Sequence, residues 1–266
     1  MKIRHLVTTR FLYFDFFKDG RIFKDGYRNA ASKVLMHNFI NTVKNQTDID
    51  HECIIITHEN NLEYTKSLKF PIEAKIFTYD DIILNIKESL KEYDYIIHTT
   101  SDYDDFFHKD NLDIIKKSLN SDTKFKMFGF TNGVTLVDGE KEPHRYNPSY
   151  LGTKGFFSCC SSIIYSTKIK FTEDFPFIIH DVAKKYNGRH AEWKNIIEKE
   201  YINWGLDKLD HDFFDYDEND TSIRFIWIRQ PLSYTTIKLM NDNRNQHLSE
   251  EIIKLDLKND FGYENE

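Results

Sequence analysis

Two spacings of apolar residues alternate along the first 130 residues of the chain. Short β-branched runs read as buried strands: Ile3 to Thr8, Cys53 to Thr57, Ala74 to Phe77 and Tyr95 to His98. Between them, apolar residues recur at helical spacing. Val34, Leu35, Phe39, Ile40 and Val43 place a helix over Asn29 to Val43, and further helices are expected over Asn60 to Leu68 and Asp80 to Leu90, the last opened by an acidic cap. Strand, helix, strand, helix with short connections predicts parallel pairing in a sheet covered on both faces. Ligands of such sheets bind beyond the carboxyl ends of the strands, so the residues after each strand matter most.

The pattern changes after Lys124. Phe125 to Phe130 and Val134 to Val137 read as strands joined through Thr131-Asn132-Gly133, with a hairpin turn at Asp138-Gly139. Phe156 to Ser166 is a further strand, Phe177 to Tyr186 and Ala191 to Trp204 are helical, and Ile223 to Ile228 is a late strand. The last residues are polar and charged, a helix and then a frayed tail. No internal repeat or linker interrupts the chain. The expected class is therefore α/β, a mixed and mainly parallel sheet flanked by helices, in one domain over residues 1–266: residues 1–130 form one half and residues 131–266 the other.

Composition narrows the function classes. A net charge of −7 argues against binding along a nucleic-acid backbone. Three cysteines, two of them adjacent at Cys159 and Cys160, supply neither a disulfide framework nor a metal-ligand spacing, which fits a reducing, cytoplasmic setting. The start, MKIRHLVTTRF, has no apolar core of signal-peptide length, and no run of about 18 apolar residues occurs, so no transmembrane segment is expected; peripheral attachment to a membrane stays open. Aromatic residues are frequent, with 22 Phe and 15 Tyr, and a Phe-rich core accounts for most of them.

The sharpest feature is Tyr95-Ile96-Ile97-His98-Thr99-Thr100-Ser101-Asp102-Tyr103-Asp104-Asp105, a buried strand running into three carboxylates. Hard divalent cations prefer oxygen ligands, and Mg2+ or Mn2+ keeps open positions for substrate phosphates. Asp102 and Asp104, with Asp105 as a third ligand or a sugar contact, are the candidate metal ligands. An Asp-rich turn capping a helix near Asp110 would have the same composition.

At these residues the chain resembles a known family. His5-Leu6-Val7-Thr8-Thr9-Arg10-Phe11 followed by Arg21-Ile22-Phe23 is similar to the opening of bacterial rhamnosyltransferase-like glycosyltransferases of the GT-A type. Asp102 to Asp105 matches the family's Asp-x-Asp-Asp element, with Thr99 or Thr100 as the threonine before it. Phe128 to Gly133 resembles its Phe-x-x-Asn-Gly segment, His180 a later histidine, and Trp227 a late tryptophan. The resemblance implies a GT-A-like fold, a nucleotide-diphosphate sugar donor and Mn2+ or Mg2+. It departs at Leu12, where the family has Asn, and after Trp227, where Arg229-Gln230 replaces a His-Gly-Asn ending. Rhamnose and the acceptor are left open by those departures.

On this reading Arg10, Thr9, Arg21, Thr100 and Asp102 contact the donor, and Arg28 shares the loop with Arg21. Arginine can clamp phosphate bidentately, or it can close an ordinary salt bridge at the end of a strand. Asp181 is the candidate general base, which must face the anomeric carbon, and His180 a candidate contact to metal or substrate; a capping or surface role is the plain alternative for each. Asp210-His211-Asp212 reads as part of a solvated acidic loop, and Trp204 and Cys160 as core. Transfer of a sugar to a glycan or other hydroxyl acceptor is the expected activity. A metal-dependent nucleotidyltransferase or phosphohydrolase, and a carbohydrate-binding or scaffold protein with an inactive site, remain alternatives.

Overall fold

The computed structural model describes residues 1–13, 18–130, 133–137, 144–146, 160–180, 193–214, 223–229, 248–252 and 254–263. The fold is α/β. β1 (Ile3–Phe11), β2 (Glu52–Thr57), β3 (Ala74–Phe77) and β4 (Tyr95–Thr100) form a parallel block ordered β3-β2-β1-β4. β9 (Ser161–Ser166) joins β4 antiparallel, β6 (Phe125–Phe130) pairs antiparallel with β9, and β10 (Asp210–Phe214) lies parallel to β6 at the far edge. The main sheet is therefore mixed and mainly parallel, as its apolar strand runs predict.

A second sheet, in the order β12-β8-β7-β11-β5, holds β5 (Phe106–Phe107), β7 (Gly133–Val137), β8 (His144–Tyr146), β11 (Phe225–Arg229) and β12 (Leu248–Ile252). The two strands expected either side of Asn132 thus fall in different sheets. β7 and β8 pair antiparallel, as a hairpin there requires, although Asp138-Gly139 lies outside the described residues. Gly133 opens β7 in register with Phe225, and a Cβ on it would overlap the Phe225 ring. Its role is close approach between strands rather than a turn.

Helices cover both faces of the main sheet. α1 (Asp25–Leu35) continues through a π-helical turn (Met36–Ile40) into α2 (Asn41–Lys44). α3 (Leu62–Ser67) follows β2, and α4 (Tyr79–Ser89) follows β3. The cap of α4 is Thr78, whose hydroxyl accepts from the Asp81 amide, and not the acidic residue expected; Asp80 and Asp81 instead occupy the first turn, where carboxylates suit the helix dipole. α5 (Asn111–Lys117) comes only after β5, so Asp102 to Asp105 does not cap it. Asp210 to Phe214 is an edge strand of the main sheet and not an acidic loop, because the whole run, Asp210 and Asp212 included, pairs in parallel with β6.

Period-two alternation divides the core. Val7, Ile55, Ile97 and Ile164 face one way, onto Leu35, Phe39, Ile40 and Val43 of the long helix and Leu112 and Ile115 of α5. Leu6, Ile54, Ile96 and Ile163 face the other way, onto Ile82 and Ile86 of α4, the segment Phe175 to Ile179, and Trp204. Cys160 is buried on the first side, and burial pushes its thiol beyond any physiological range, as a structural cysteine requires. A third, smaller cluster joins Phe106, Val134, Leu136, Ile223 and Ile226 to Phe261 of the C-terminal helix Leu257–Phe261. The polar tail expected there is therefore docked as far as Phe261. No helix among the described residues is long and apolar enough to cross a membrane.

Candidate functional site

The chain leaves β1 for β2 and β3 on one side and returns to β4 on the other, so strand order reverses between β1 and β4. A sheet of this kind opens a crevice at that reversal, beyond the carboxyl ends of the two strands. The parallel register decides which residues meet there. Thr8 lies beside Thr100, and the Ser101 amide donates to the Thr8 carbonyl at 3.1 Å, carrying the pairing one step past β4. Two residues beyond Thr8 and Thr100, Arg10 comes alongside Asp102, with 3.5 Å between guanidinium nitrogen and carboxylate oxygen.

Asp102, Asp104 and Asp105 each bring a carboxylate oxygen within 4.8 Å of the others; the first two are partly exposed and Asp105 is buried. Ligands on one octahedral Mg2+ or Mn2+ stand about 3 to 4 Å apart, given metal–oxygen distances of about 2.1 Å. Side-chain rotation closes that difference, and an all-carboxylate donor set matches a hard cation. The residues fit the ion that the acidic cluster suggests. Within the cluster, the Asp105 amide donates to the Asp102 carbonyl at 3.3 Å, closing a turn. Tyr103 turns the other way and packs edge-on against Phe11, ring centroids 5.7 Å apart. Burial, and next the charge of Asp104, holds its hydroxyl well above the usual phenol range. The tyrosine anchors the turn.

The turn also joins the two sheets. Immediately after Asp105, β5 pairs antiparallel with β11, so the acidic residues occupy the passage from the main sheet to the second one. Beneath them, β1 and β4 carry an unusual polar stripe. Thr8, His98, Thr100 and Arg10 share one face, by alternation with Leu6 and Ile96. The Ile179 amide donates to His98 Nδ1 at 3.3 Å, so His98 Nε2 carries the proton and donates to Thr8 Oγ1 at 3.0 Å. Burial pushes the His98 pKa down to about 3, which keeps the ring neutral. His180 Nε2 lies 2.9 Å from Thr100 Oγ1, and the His180 and His98 rings meet edge-on at 6.1 Å. These bonds tie the segment that carries His180 to the carboxyl ends of β1 and β4.

The sequence candidates therefore separate. Arg10, Thr100, Asp102, Asp104, Asp105 and His180 gather at one end of the sheet. Thr9 lies on the opposite face with Val7 and Phe11; it is fully buried, and its hydroxyl has no hydrogen-bond partner among the described residues. Arg21 makes a close pair with Asp19, at 2.8 Å, which with its hydrogen bonds draws the Asp19 carboxyl down to about 2. Arg28 places its guanidinium on the Asn61 side-chain oxygen at 2.7 and 3.0 Å, and Asn61 donates to the Leu12 carbonyl at 2.8 Å. Leu12 has a left-handed φ of 50°, so Arg28 acts through Asn61 on the strained turn that ends β1. Asp181 lies outside the described residues, as does the side chain of Trp227.

Sequence reasoning missed Asn38, whose amide holds the Asp104 carbonyl at 2.7 Å, and it missed His98. A histidine inside a β-branched run was a usable signal for a buried polar contact. Asn38 carried none, since its partner is 66 residues away.

No protein-family model matches the sequence, and no curated protein matches it. Among solved structures the chain is similar to a protein described as a nucleotide-diphospho-sugar transferase from Desulfovibrio desulfuricans G20, at 10% identity and a TM-score of 0.42, over 92% of this chain and 89% of that one. It is also similar to residues 1–349 of TarS from S. aureus, at 11% identity and a TM-score of 0.39, over 94% and 67% of the two chains. Inositol-1-phosphate CTP transferase from T. maritima aligns at 12% identity and a TM-score of 0.40, over 94% of this chain and 99% of that one. Likenesses of this depth carry no argument about what the chain does.

Proposed function

We propose that the chain is a metal-dependent glycosyltransferase that takes a nucleotide-diphosphate sugar as donor and passes the sugar to a glycan or other hydroxyl-bearing acceptor. The observation that carries this reading is the carboxylate cluster Asp102, Asp104 and Asp105 at the strand-order reversal, with Arg10 facing it at 3.5 Å. Three carboxylates with one guanidinium suit a ligand whose phosphates arrive together with a cation. Mn2+ or Mg2+ held by the aspartates would supply Lewis-acid stabilisation to a departing nucleotide diphosphate.

Arg10 would exchange its long contact with Asp102 for a phosphate oxygen. Thr100 and His180, bonded to each other, form a fixed surface beneath the donor, and His98 is locked neutral below them. Residues 131–266 would supply the acceptor side, with Asp181 as the base that takes the acceptor proton. Thr9 and Arg21 would contribute from outside this cluster, through the backbone of β1 and the loop that follows it.

Thermal shift across a panel of nucleotide-diphosphate sugars, with and without Mn2+, tests the reading, because a ligand of the native state must stabilise it by mass action. Stabilisation by one donor class that needs Mn2+ and disappears in Asp102→Asn/Asp104→Asn is the expected result. No shift from any donor in either condition would abandon the transferase reading in favour of an inactive, carbohydrate-binding protein. Release of free nucleotide or pyrophosphate without a sugar acceptor would favour a nucleotidyltransferase or phosphohydrolase.

A further inference from the structure

The helix after the first loop changes its winding where it passes the carboxylates. It is α-helical over Asp25–Leu35, π-helical over Met36–Ile40, and α-helical again over Asn41–Lys44. A single π turn inside an α-helix gives up regular hydrogen bonding, and such turns are frequent at functional sites. Here the wider turn buries three successive residues, Asn38, Phe39 and Ile40. Phe39 and Ile40 are fully buried in the core beneath the sheet, which fixes the turn. Asn38 is the polar exception, and burying an amide is costly unless it is bonded.

Its Nδ2 donates to the carbonyl of Asp104 at 2.7 Å. That carbonyl belongs to the peptide between Asp104 and Asp105, two of the three clustered carboxylates. Further along the same helix and just past its end, Gln46 donates to the His108 carbonyl at 3.2 Å and the Thr47 amide to the Lys109 carbonyl at 2.9 Å. The helix thus lies as a splint along the segment from Asp104 to Lys109, and Asn38 is its contact at the acidic end. Three like charges within 4.8 Å repel one another, so a turn that gathers them before a cation arrives needs restraint from outside itself.

We infer that Asn38 is a positioning residue for the carboxylate cluster, brought into place by the π turn: it is not a ligand, but it pins the Asp104–Asp105 peptide so that both carboxylates stay turned toward Asp102. This rests on the metal reading given above. Outer partners that orient metal ligands are typically worth 10- to 100-fold in metal affinity. Asn38→Leu keeps the approximate size and removes the donor; Asn38→Ala removes it with no bulk to refit, and serves where the leucine variant fails to fold.

Two readouts on the full chain separate the possibilities: hydrogen exchange of the metal-free protein, and binding of Mn2+ alone by calorimetry. Both variants should exchange faster over residues 101–107 with β1 to β4 as protected as in the wild type, and should bind Mn2+ about 10- to 100-fold more weakly. Unchanged exchange over 101–107 overturns the assignment whatever happens to Mn2+. Faster exchange with wild-type Mn2+ affinity reduces Asn38 to a structural contact and overturns it equally. A wild type that binds no Mn2+ overturns the metal reading itself, and Asn38 loses the role assigned with it.

Discussion

Two arginines on the same face of β1 stand six residues apart, about 20 Å along the strand, in different surroundings. Arg4, at the amino end, is buried and saturated. It donates to both Glu52 carboxylate oxygens at 2.7 and 3.0 Å, to Ser89 Oγ at 2.7 Å and to Asn85 Oδ1 at 2.7 Å. Glu52 also receives Lys75 at 2.7 Å; burial works to raise its carboxyl pKa, but these hydrogen bonds outweigh burial and leave it below its ordinary value. Arg10, at the carboxyl end, meets Asp102 at 3.5 Å, with Asp102 about a third exposed. One end of the sheet fastens strands and α4 together. The other holds charge in a geometry that a ligand can rearrange. The difference teaches that one face of a strand can meet a dense hydrogen-bonded cluster at its amino end and an acidic turn at its carboxyl end.

The strongest test of that contrast is at the open end. Asp102→Asn/Asp104→Asn should lower metal-dependent transfer by about 10²- to 10³-fold, matching the loss of several kcal/mol of charge stabilisation, while the urea midpoint stays near that of the wild type. A large stability loss in this variant would show that the carboxylates are as structural as Glu52. Arg4→Met should do the converse, costing about 3 kcal/mol of unfolding free energy because Glu52 is left with only Lys75, and leaving donor affinity unchanged. Equilibrium urea unfolding beside donor titration reads both quantities.

Arg10→Met should weaken nucleotide-diphosphate sugar binding about tenfold, roughly 1.4 kcal/mol, with stability changed by less than about 0.5 kcal/mol. If it destabilises the chain as much as Arg4→Met does, the two ends are not functionally distinct. The smallest effect concerns the polar floor. His98 titrates near 6.5 when unfolded but is held by burial at about 3 in the native state. Its folded pKa is depressed, so below about pH 6.5 the unfolded chain takes up a proton that the native chain refuses. Stability then falls by about 1.4 kcal/mol per pH unit as pH drops toward 3. Burial also depresses His5, which adds slope in the same direction. His98→Gln should make unfolding free energy between about pH 6 and pH 4 less steep by about one proton. An unchanged slope would mean that His98 is accessible to protons in the folded chain.

Much of the parallel block was legible because its strands are buried on both faces and so read as continuous β-branched runs. Cys53 to Thr57 matches β2 closely, and Ala74 to Phe77 coincides with β3. The acidic cluster was legible because three carboxylates directly after such a run have few purely apolar uses. Less legible was anything set by pairing between distant segments. Phe125 to Phe130 and Val134 to Val137 look alike as strands, yet the second lies in another sheet, where Gly133 sits close against the Phe225 ring. Thr9 and Arg10 look like neighbours in one motif, yet the pleat sends their side chains to opposite faces. Arg21 and Arg28 read as one loop, yet they meet different partners: Arg21 pairs with nearby Asp19, and Arg28 reaches Asn61, 33 residues away.

The sequence by itself determined the strands and helices of the first half, the class they build, and the acidic residues that follow β4, since periodicity and residue chemistry are local properties. Tertiary structure decided that β1 and β4 adjoin at the reversal, that their register brings Arg10 to Asp102, and that Asn38 reaches Asp104 from 66 residues away. Those meetings depend on which apolar faces pack together in space, and no local stretch of sequence carries that information.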